Sequence, residues 1–193
     1  NDGAAPGTWI ADEVPASQSA QNVGLGMADD HMHMTVASDG TIYAVVKTSY
    51  DTAGYPKIAL LVRRPAGTWD NLYNIDDAGT RATLMLDEVN GYLTVLYTSA
   101  EGYNPMVYKQ STISPIAFGN RTTLNAGAFN DASGSKGKYT SELVTIFSSA
   151  TQVAGEICAP VPSIRAELSI TKTDTVTSVR PTAIVSYSLV VRN

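Results

Sequence analysis

The chain has almost no cysteine and few clustered basic residues, and each shortage excludes a class of site. Cys158 is the only cysteine among 193 residues, so the chain can form neither an internal disulfide nor a cysteine-based metal centre. It has 13 basic residues against 18 acidic ones, for a formal net charge of −5, and Arg63-Arg64 is the only adjacent basic pair. Because nucleic-acid binding relies on clustered cations that neutralise phosphates, we expect no nucleic-acid partner.

Long apolar runs are missing as well. No segment approaches the ~20 apolar residues that a transmembrane helix needs, so we expect no membrane span. The sequence starts at Asn1 rather than Met and shows no signal-peptide pattern. Because Asn1 opens a loop-like stretch and Asn193 directly follows a strand-like run, we interpret the chain as a fragment open at both ends. A missing signal peptide then carries no information about export.

What the sequence does have is a strand-like segment that occurs three times at an interval of 50 residues. The copies cover residues 41–50, 91–100 and 141–150, and the β-branched and aromatic run in each is followed by two small hydroxyl residues. Such residues favour strands, and a period of this length built from strands is typical of β-propellers, whose blades have four antiparallel strands. The repeat predicts an all-β protein containing a partial β-propeller of about three blades.

The other strands are predicted from the residues around these copies. Asp39-Gly40 and Asn90-Gly91 mark tight hairpin turns, because Gly accepts positive φ. We interpret Gly67-Thr68-Trp69 and Phe118-Gly119-Asn120 as parts of outer strands. The strands predicted for the first blade are residues 31–37, 41–50, 57–63 and 68–75. The strands predicted for the second blade are residues 81–87, 91–100 and 106–109. Those predicted for the third blade are a polar first strand within 130–138, then 141–150 and 153–159.

A proline-containing linker ends this region. Pro160 and Pro162 interrupt the strand pattern, and apolar residues then recur with period two in residues 166–171 and 185–191. This alternation is typical of sandwich strands with one buried face. The predicted parts are a partial propeller over residues 1–159, a linker over 160–165 and an incomplete sandwich over 166–193.

The last part resembles the opening of an Ig-like repeat of bacterial surface proteins, a domain of unknown function that often occurs in tandem. The resemblance lies in Ala166-Glu167-Leu168-Ser169-Ile170-Thr171-Lys172-Thr173-Asp174 and in Tyr187-Ser188-Leu189-Val190-Val191-Arg192-Asn193. Glu167 stands where that family usually has Asp, and Arg180-Pro181-Thr182 where it often has a Pro-Gly-Gly turn. The resemblance implies an Ig-like stalk and an extracellular or bacterial cell-surface location.

Residues 7–159 resemble part of a sialidase-like β-propeller built from bacterial-neuraminidase repeats, in blade length and strand order. Pro65-Ala66-Gly67-Thr68-Trp69 keeps the Gly, Thr and Trp of that family's Asp-box but lacks its Asp and its spacing. The resemblance implies a carbohydrate-related function. Sialidase chemistry also needs an arginine triad, a Tyr-Glu pair and an acidic catalyst, a set that a fragment of the propeller cannot show.

Asp29-Asp30-His31-Met32-His33 is the cluster that most suggests chemistry. His31 and His33 are two residues apart on a predicted strand, so their rings share a face, where with a carboxylate they would act as acid and base or hold a metal. The cluster resembles the Asp-Asp-His opening of an inner strand in some propeller polysaccharide lyases. The alternative is that both histidines line a solvated channel or one blade face. We assign no metal site and no cofactor.

A second set, Tyr50, Tyr55, Arg63, Tyr103 and Tyr108, is predicted to bind ligand. Tyrosine rings on blade loops stack on sugar rings, and guanidinium groups bind carboxylates. The alternative is that these are ordinary strand and loop residues, since aromatic side chains are favoured on pleated sheets.

These features predict a secreted or cell-surface binding module for a glycan or another extracellular partner, such as a surface protein. The alternative is a carbohydrate-active enzyme, a sialidase-like hydrolase or a polysaccharide lyase, that uses His31 and His33. An enzyme requires these histidines to converge with Arg or Tyr side chains of neighbouring blades. A binding module requires an exposed aromatic patch.

Overall fold

The computed structural model of the chain describes residues 23–26, 31–134, 143–158, 169–173 and 188–192. Regular structure in these residues consists of β strands, and no helix occurs among them. The predicted all-β class is therefore confirmed. In the same residues, no helix is long and apolar enough to cross a membrane.

The first sheet is a four-stranded antiparallel meander whose strands follow one another in chain order. Its strands are β1 (Met32–Val36), β2 (Ile42–Lys47), β3 (Ile58–Arg63) and β4 (Tyr73–Asp76). The predicted Asp39-Gly40 turn joins β1 to β2, and Gly40 has a φ of 90° that favours glycine. The fourth strand starts later than predicted, because Trp69 pairs with Arg63 only through an isolated bridge and continuous pairing begins at Tyr73.

The second sheet has six antiparallel strands that also follow one another in chain order. They are β5 (Thr80–Asp87), β6 (Tyr92–Thr98), β7 (Asn104–Thr112), β8 (Thr122–Gly134), β9 (Leu143–Ser148) and β10 (Val153–Cys158). The fold contains a curled half-barrel, and the curl is visible here because β8 returns to β5. Arg81 of β5 lies 3.1 Å from Asp131 of β8, although β6 and β7 separate the two strands in the sheet.

The long strand β8 takes part in two repeats. Its first part, up to Phe129, pairs with β7, and its second part, from Asn130, pairs with β9. The prediction of an outer strand at Phe118-Gly119-Asn120 is wrong, because this stretch closes a loop in which the Gly119 N–H donates to the Gln110 carbonyl at 3.0 Å. The outer strand starts at Thr122 and continues directly into the next repeat.

The three repeat copies predicted from sequence each contain a strand, namely β2, β6 and β9. Phe147 of β9 points back to the second repeat, as Val95 of β6 points back to the first. The first copy differs, because Val45 of β2 meets Val95 in the same cluster. A shift of one residue moves a side chain to the other face of a strand. Strand β2 is shifted in this way relative to β6, because the turn glycines that precede them, Gly40 and Gly91, lie one residue further apart than the repeat interval.

Two apolar clusters form the core. The larger lies between the first sheet and strands β5 to β7, and its members include Tyr43, Val45, Leu60, Val62, Ala82, Leu84, Leu86, Leu93, Val95 and Tyr97. The smaller lies on the other face of these strands and contains Met85, Leu96, Met106, Phe129 and Phe147. The Phe129 and Phe147 rings pack edge to face at 5.0 Å. Strands β5 to β7 are thus covered on both faces.

Contacts divide the chain into two units, Asn1–Pro160 and Val161–Asn193. The second unit contains one described pair of antiparallel strands, β11 (Ser169–Thr173) and β12 (Ser188–Arg192). Both overlap the segments in which period-two alternation predicted strands. The predicted linker, residues 160–165, lies outside the described residues.

Candidate functional site

Two β-bulges occur at equivalent positions of consecutive repeats. The pairing of β5 shifts between Thr80 and Thr83, and that of β8 shifts at the corresponding place. Arg81 and Asp131 lie in these bulges, and each has a φ of 52°. A left-handed backbone costs a non-glycine residue roughly 1–2 kcal/mol. Because this conformation occurs in both bulges, we interpret each bulge as a device that redirects the side chain at this repeat position.

Arg81 connects residues that share one repeat position. Its Nε donates to Nε2 of His31 at 3.0 Å, and these residues are 50 positions apart. The same Nε lies 3.1 Å from Oδ1 of Asp131, which follows at the same interval. Nε2 of His31 is thus the acceptor in this contact. We call His31, Arg81 and Asp131 the polar row.

The Arg81 side chain is partly exposed. Its side chain is 37% exposed and that of Asp131 is 57% exposed, so the ion pair between them contributes less than about 1 kcal/mol to stability. Among the residues that the structure describes, neither terminal nitrogen of the Arg81 guanidinium has a hydrogen-bond partner. These two groups form the donor fork that suits a carboxylate or a pair of hydroxyl oxygens.

A second ion pair, between Lys47 and Glu101, lies at the same end of the repeats as the polar row. Lys47 Nζ lies 2.8 Å from Oε1 of Glu101 in the β6–β7 loop. The Lys47 backbone N–H donates to the His31 carbonyl at 3.0 Å, which places this pair beside the polar row. We call the surface formed by the polar row, Lys47 and Glu101 the loop end. It carries charges of both signs, so it does not act as a uniformly charged patch.

His33, the other predicted catalytic residue, makes a structural contact. Its Nδ1 accepts a hydrogen bond from the Leu84 backbone N–H at 3.1 Å. Strand β5 is an edge of its sheet, and backbone donors on an edge need partners from outside the ladder. His31 and His33 therefore contact different residues of β5, Arg81 and Leu84.

Of the predicted ligand-binding residues, Tyr50 and Tyr55 contact each other, whereas Arg63 lies at the other end of its strand. Tyr50 is 1% exposed and packs edge to face on Tyr55 with ring centres 5.3 Å apart, so its ring is not presented to solvent. Tyr108 packs against the smaller core cluster. Arg63 ends β3 opposite the start of β2, away from the β2–β3 loop that contains Tyr50. Tyr103, in the same loop as Glu101, is 51% exposed and would be accessible to a ligand.

Asp76, at the end of β4, is a strongly perturbed carboxyl group near this end of the sheets. It accepts from the Tyr97 hydroxyl at 2.5 Å and from Arg121 Nε at 3.0 Å, and Lys109 Nζ lies 3.3 Å away. Burial alone raises the pKa of Asp76, but Arg121, Tyr97 and Lys109 together with a backbone hydrogen bond lower it to about 2. Burial and the hydrogen bond to Asp76 raise the pKa of Tyr97. The carboxylate is only 9% exposed, so this network fastens β4 to the second sheet.

Sequence reasoning missed Arg81 and Asp131. Both lie at 50-residue intervals from His31, so extending the repeat from the apolar strands to the polar residues would find them. In the described part of the chain, no three His, Cys, Asp or Glu side chains form a metal-binding group. Asp29 and Asp30, predicted beside His31, lie outside the described residues.

The chain matches no protein-family model, and no curated protein and no solved structure resembles it significantly. The resemblances to sialidase-like and Ig-like repeats therefore stay predictions.

Proposed function

We propose that this chain is a binding module that recognises an extracellular carbohydrate at its loop end. One observation carries the proposal. The half-exposed guanidinium of Arg81, held by His31 and Asp131, lies at the same end of the sheets as the exposed ring of Tyr103. An aromatic ring supplies a face for the apolar side of a sugar, and a guanidinium donates to its hydroxyl or carboxylate oxygens.

The fold that we propose for this module is a partial β-propeller. The two meanders would be consecutive blades, and strands β8 to β10 would begin a third. In support, the first strand of each repeat contacts the first strand of the next, through His31 and Arg81 and then through Arg81 and Asp131. This succession is expected when the first strands of successive blades surround a common axis.

We also propose that β11 and β12 begin an Ig-like stalk and that the protein acts outside the cell or on a bacterial cell surface. This part of the proposal depends on the resemblance of residues 166–193 to surface-protein repeats. The period-two pattern of the two paired strands is consistent with a sandwich.

Binding to immobilised neutral and acidic oligosaccharides tests the function. We expect at least one glycan to bind and the substitutions Tyr103→Ala and Arg81→Gln each to weaken it at least tenfold. The matched control is Val89→Ser, because Val89 is 67% exposed in the β5–β6 turn at the opposite end. Failure of every glycan to bind would overturn the proposal. So would a Tyr103→Ala variant that binds as the parent does.

A carbohydrate-active enzyme is the second candidate, and one observation favours it. His31 meets an arginine of the neighbouring repeat, which is part of the convergence that a catalytic site needs. Mass spectrometry of the bound glycans tests this candidate. Turnover that is lost in His31→Ala but kept in His33→Asn would establish an enzyme, whereas unchanged glycans would leave the binding function alone.

A further inference from the structure

Strand β1 exposes an apolar strip on one face. Its members Met32, Met34 and Val36 are between 53% and 65% exposed. The residues one repeat later are Ala82, Leu84 and Leu86 of β5. These are at most 8% exposed, because they pack in the larger core cluster against the first sheet. The β1 strip thus repeats a packing surface of β5, but no neighbouring sheet covers it in the described residues.

The β9–β10 hairpin exposes a second apolar surface at the other end of the stack of strands. Ile146, Val153 and Ile157 are between 53% and 74% exposed. They lie on the face opposite Phe147, because side chains alternate along a strand. We call these three residues the hairpin face.

The hairpin face also has a buried counterpart in the preceding repeat. Val153 pairs with Ser148 as Met106 pairs with Thr98, which makes Val153 and Met106 equivalent. Ile146 corresponds in the same way to Leu96. Leu96 and Met106 are both 0% exposed and pack in one cluster with Phe147. The second repeat therefore buries the positions that the third repeat leaves open.

We propose that a second copy of this chain docks head to tail, with the β1 strip of one copy packed on the hairpin face of the other. The contact continues an interface that the chain already makes twice within itself. In the first of these contacts the apolar residues of β5 pack on the first sheet. In the second, Phe147 of β9 and the partly buried Ala132 of β8 pack in one cluster with the Leu96 face of the second repeat. The strip is one strand wide, because Val46, opposite Met32 on β2, is buried.

This interface joins two different surfaces, so it is heterologous and can continue from copy to copy until a ring closes or a filament forms. The use of two different surfaces distinguishes this head-to-tail contact from a two-fold symmetric one. In a two-fold contact the β1 strip would meet another β1 strip, and the hairpin face would have no role.

Light scattering with size-exclusion chromatography of the 193-residue chain tests the proposal over a range of concentrations. We expect a mass that increases with concentration. Met34→Asp and Ile146→Asp should each be monomeric, since each lacks one of the two surfaces. A mixture of the two variants should form a 1:1 dimer that grows no further, because one intact strip and one intact hairpin face remain.

Val89→Asp is the matched control, because it adds the same charge at an exposed apolar residue outside both surfaces. It should assemble as the parent does. Thermal unfolding checks that both surface variants stay folded. If one of them unfolds, Met34→Lys or Ile146→Lys replaces it. A parent chain that stays monomeric up to its solubility limit would overturn the proposal. Equally, a mixture of folded variants that stays monomeric, or one variant that still dimerises alone, would exclude the head-to-tail contact.

Discussion

Arg81 donates a hydrogen bond from Nε to Nε2 of His31 at 3.0 Å, although 50 residues separate them in the sequence. Asp131, one repeat further along, lies 3.1 Å from the same nitrogen. A single repeat position thus provides an imidazole, a guanidinium and a carboxylate side by side. Arg81 and Asp131 also share a left-handed backbone within a bulge, whereas His31 precedes the regularly paired strand β1.

Replacing Arg81 by glycine separates its backbone cost from its role in binding. A φ of 52° is unfavourable for arginine and acceptable for glycine. We expect Arg81→Gly to unfold with a free energy equal to that of the parent or up to about 1 kcal/mol higher, while glycan affinity falls at least tenfold. Arg81→Ala is the control, because it removes the same side chain but keeps the strained backbone. Urea unfolding that ranks the alanine variant above the glycine variant would contradict a left-handed Arg81.

The lowered pKa of Asp76 predicts that the folded chain loses stability in acid. Its pKa is lowered from 3.8 to about 2 in the folded chain. A lowered pKa means that the ionised group stabilises the fold above pH 3.8 and that this contribution disappears as the pH falls through 2. The buried carboxylate should contribute about 2 kcal/mol near neutral pH.

Urea unfolding of the parent and of Asp76→Asn over this pH range measures the effect. The difference between the two free energies of unfolding should shrink toward zero as the pH approaches 2. Asp77→Asn changes an exposed neighbouring carboxylate and should keep the pH dependence of the parent. Parallel curves for the parent and Asp76→Asn would show that the ion pairs of Asp76 do not set its pKa.

His33 should stabilise the fold through Leu84. Removing the ring in His33→Ala leaves the Leu84 N–H, which now donates to Nδ1 at 3.1 Å, without its acceptor. The expected loss in the free energy of unfolding is about 1–3 kcal/mol. Asparagine places an oxygen close to the position of Nδ1, so His33→Asn should recover part of this loss. Hydrogen exchange at the Leu84 amide gives a local measurement, and equal exchange in both variants would argue against the bond.

Two glycines with positive φ differ in the space around them, which allows a matched comparison. A Cβ at Gly79 would lie 2.6 Å from Cδ2 of Tyr97, whereas a Cβ at Gly102 would meet nothing within 4 Å. Gly102→Ala should cost only the backbone strain, roughly 1–2 kcal/mol. Gly79→Ala should cost a further 1–3 kcal/mol or so, because a buried ring must move. Similar midpoints in chemical denaturation would mean that Tyr97 yields easily.

The strand order of the first two repeats could be predicted from sequence because its signals are local. β-branched and aromatic runs define the strands, and the turns at Gly40 and Gly91 fix the hairpins. The boundaries at Tyr73 and Thr122 depend on which neighbour the backbone pairs with, and local composition does not encode that. The facing of Val45 also escaped prediction, since one extra residue in a hairpin inverts the sides of a strand.

The candidate site was predictable only in part. His31 is conspicuous because the chain has only two histidines, whereas Arg81 and Asp131 become significant only when two bulges align them. Tyr50 looked like a loop aromatic, yet its loop folds back so that the ring packs on Tyr55. Side-chain exposure in loops depends on such tertiary contacts, and residue type alone does not reveal it.

The continuity of β8 affects how this chain can be cut, stretched or rearranged. Between β4 and β5 a short loop at residues 77–79 separates the first two repeats, and no strand belongs to both of them. The second and third repeats, in contrast, share β8, a single strand that pairs with β7 and then, across a bulge, with β9. The second and third repeats should therefore be inherited, proteolysed and mechanically unfolded together.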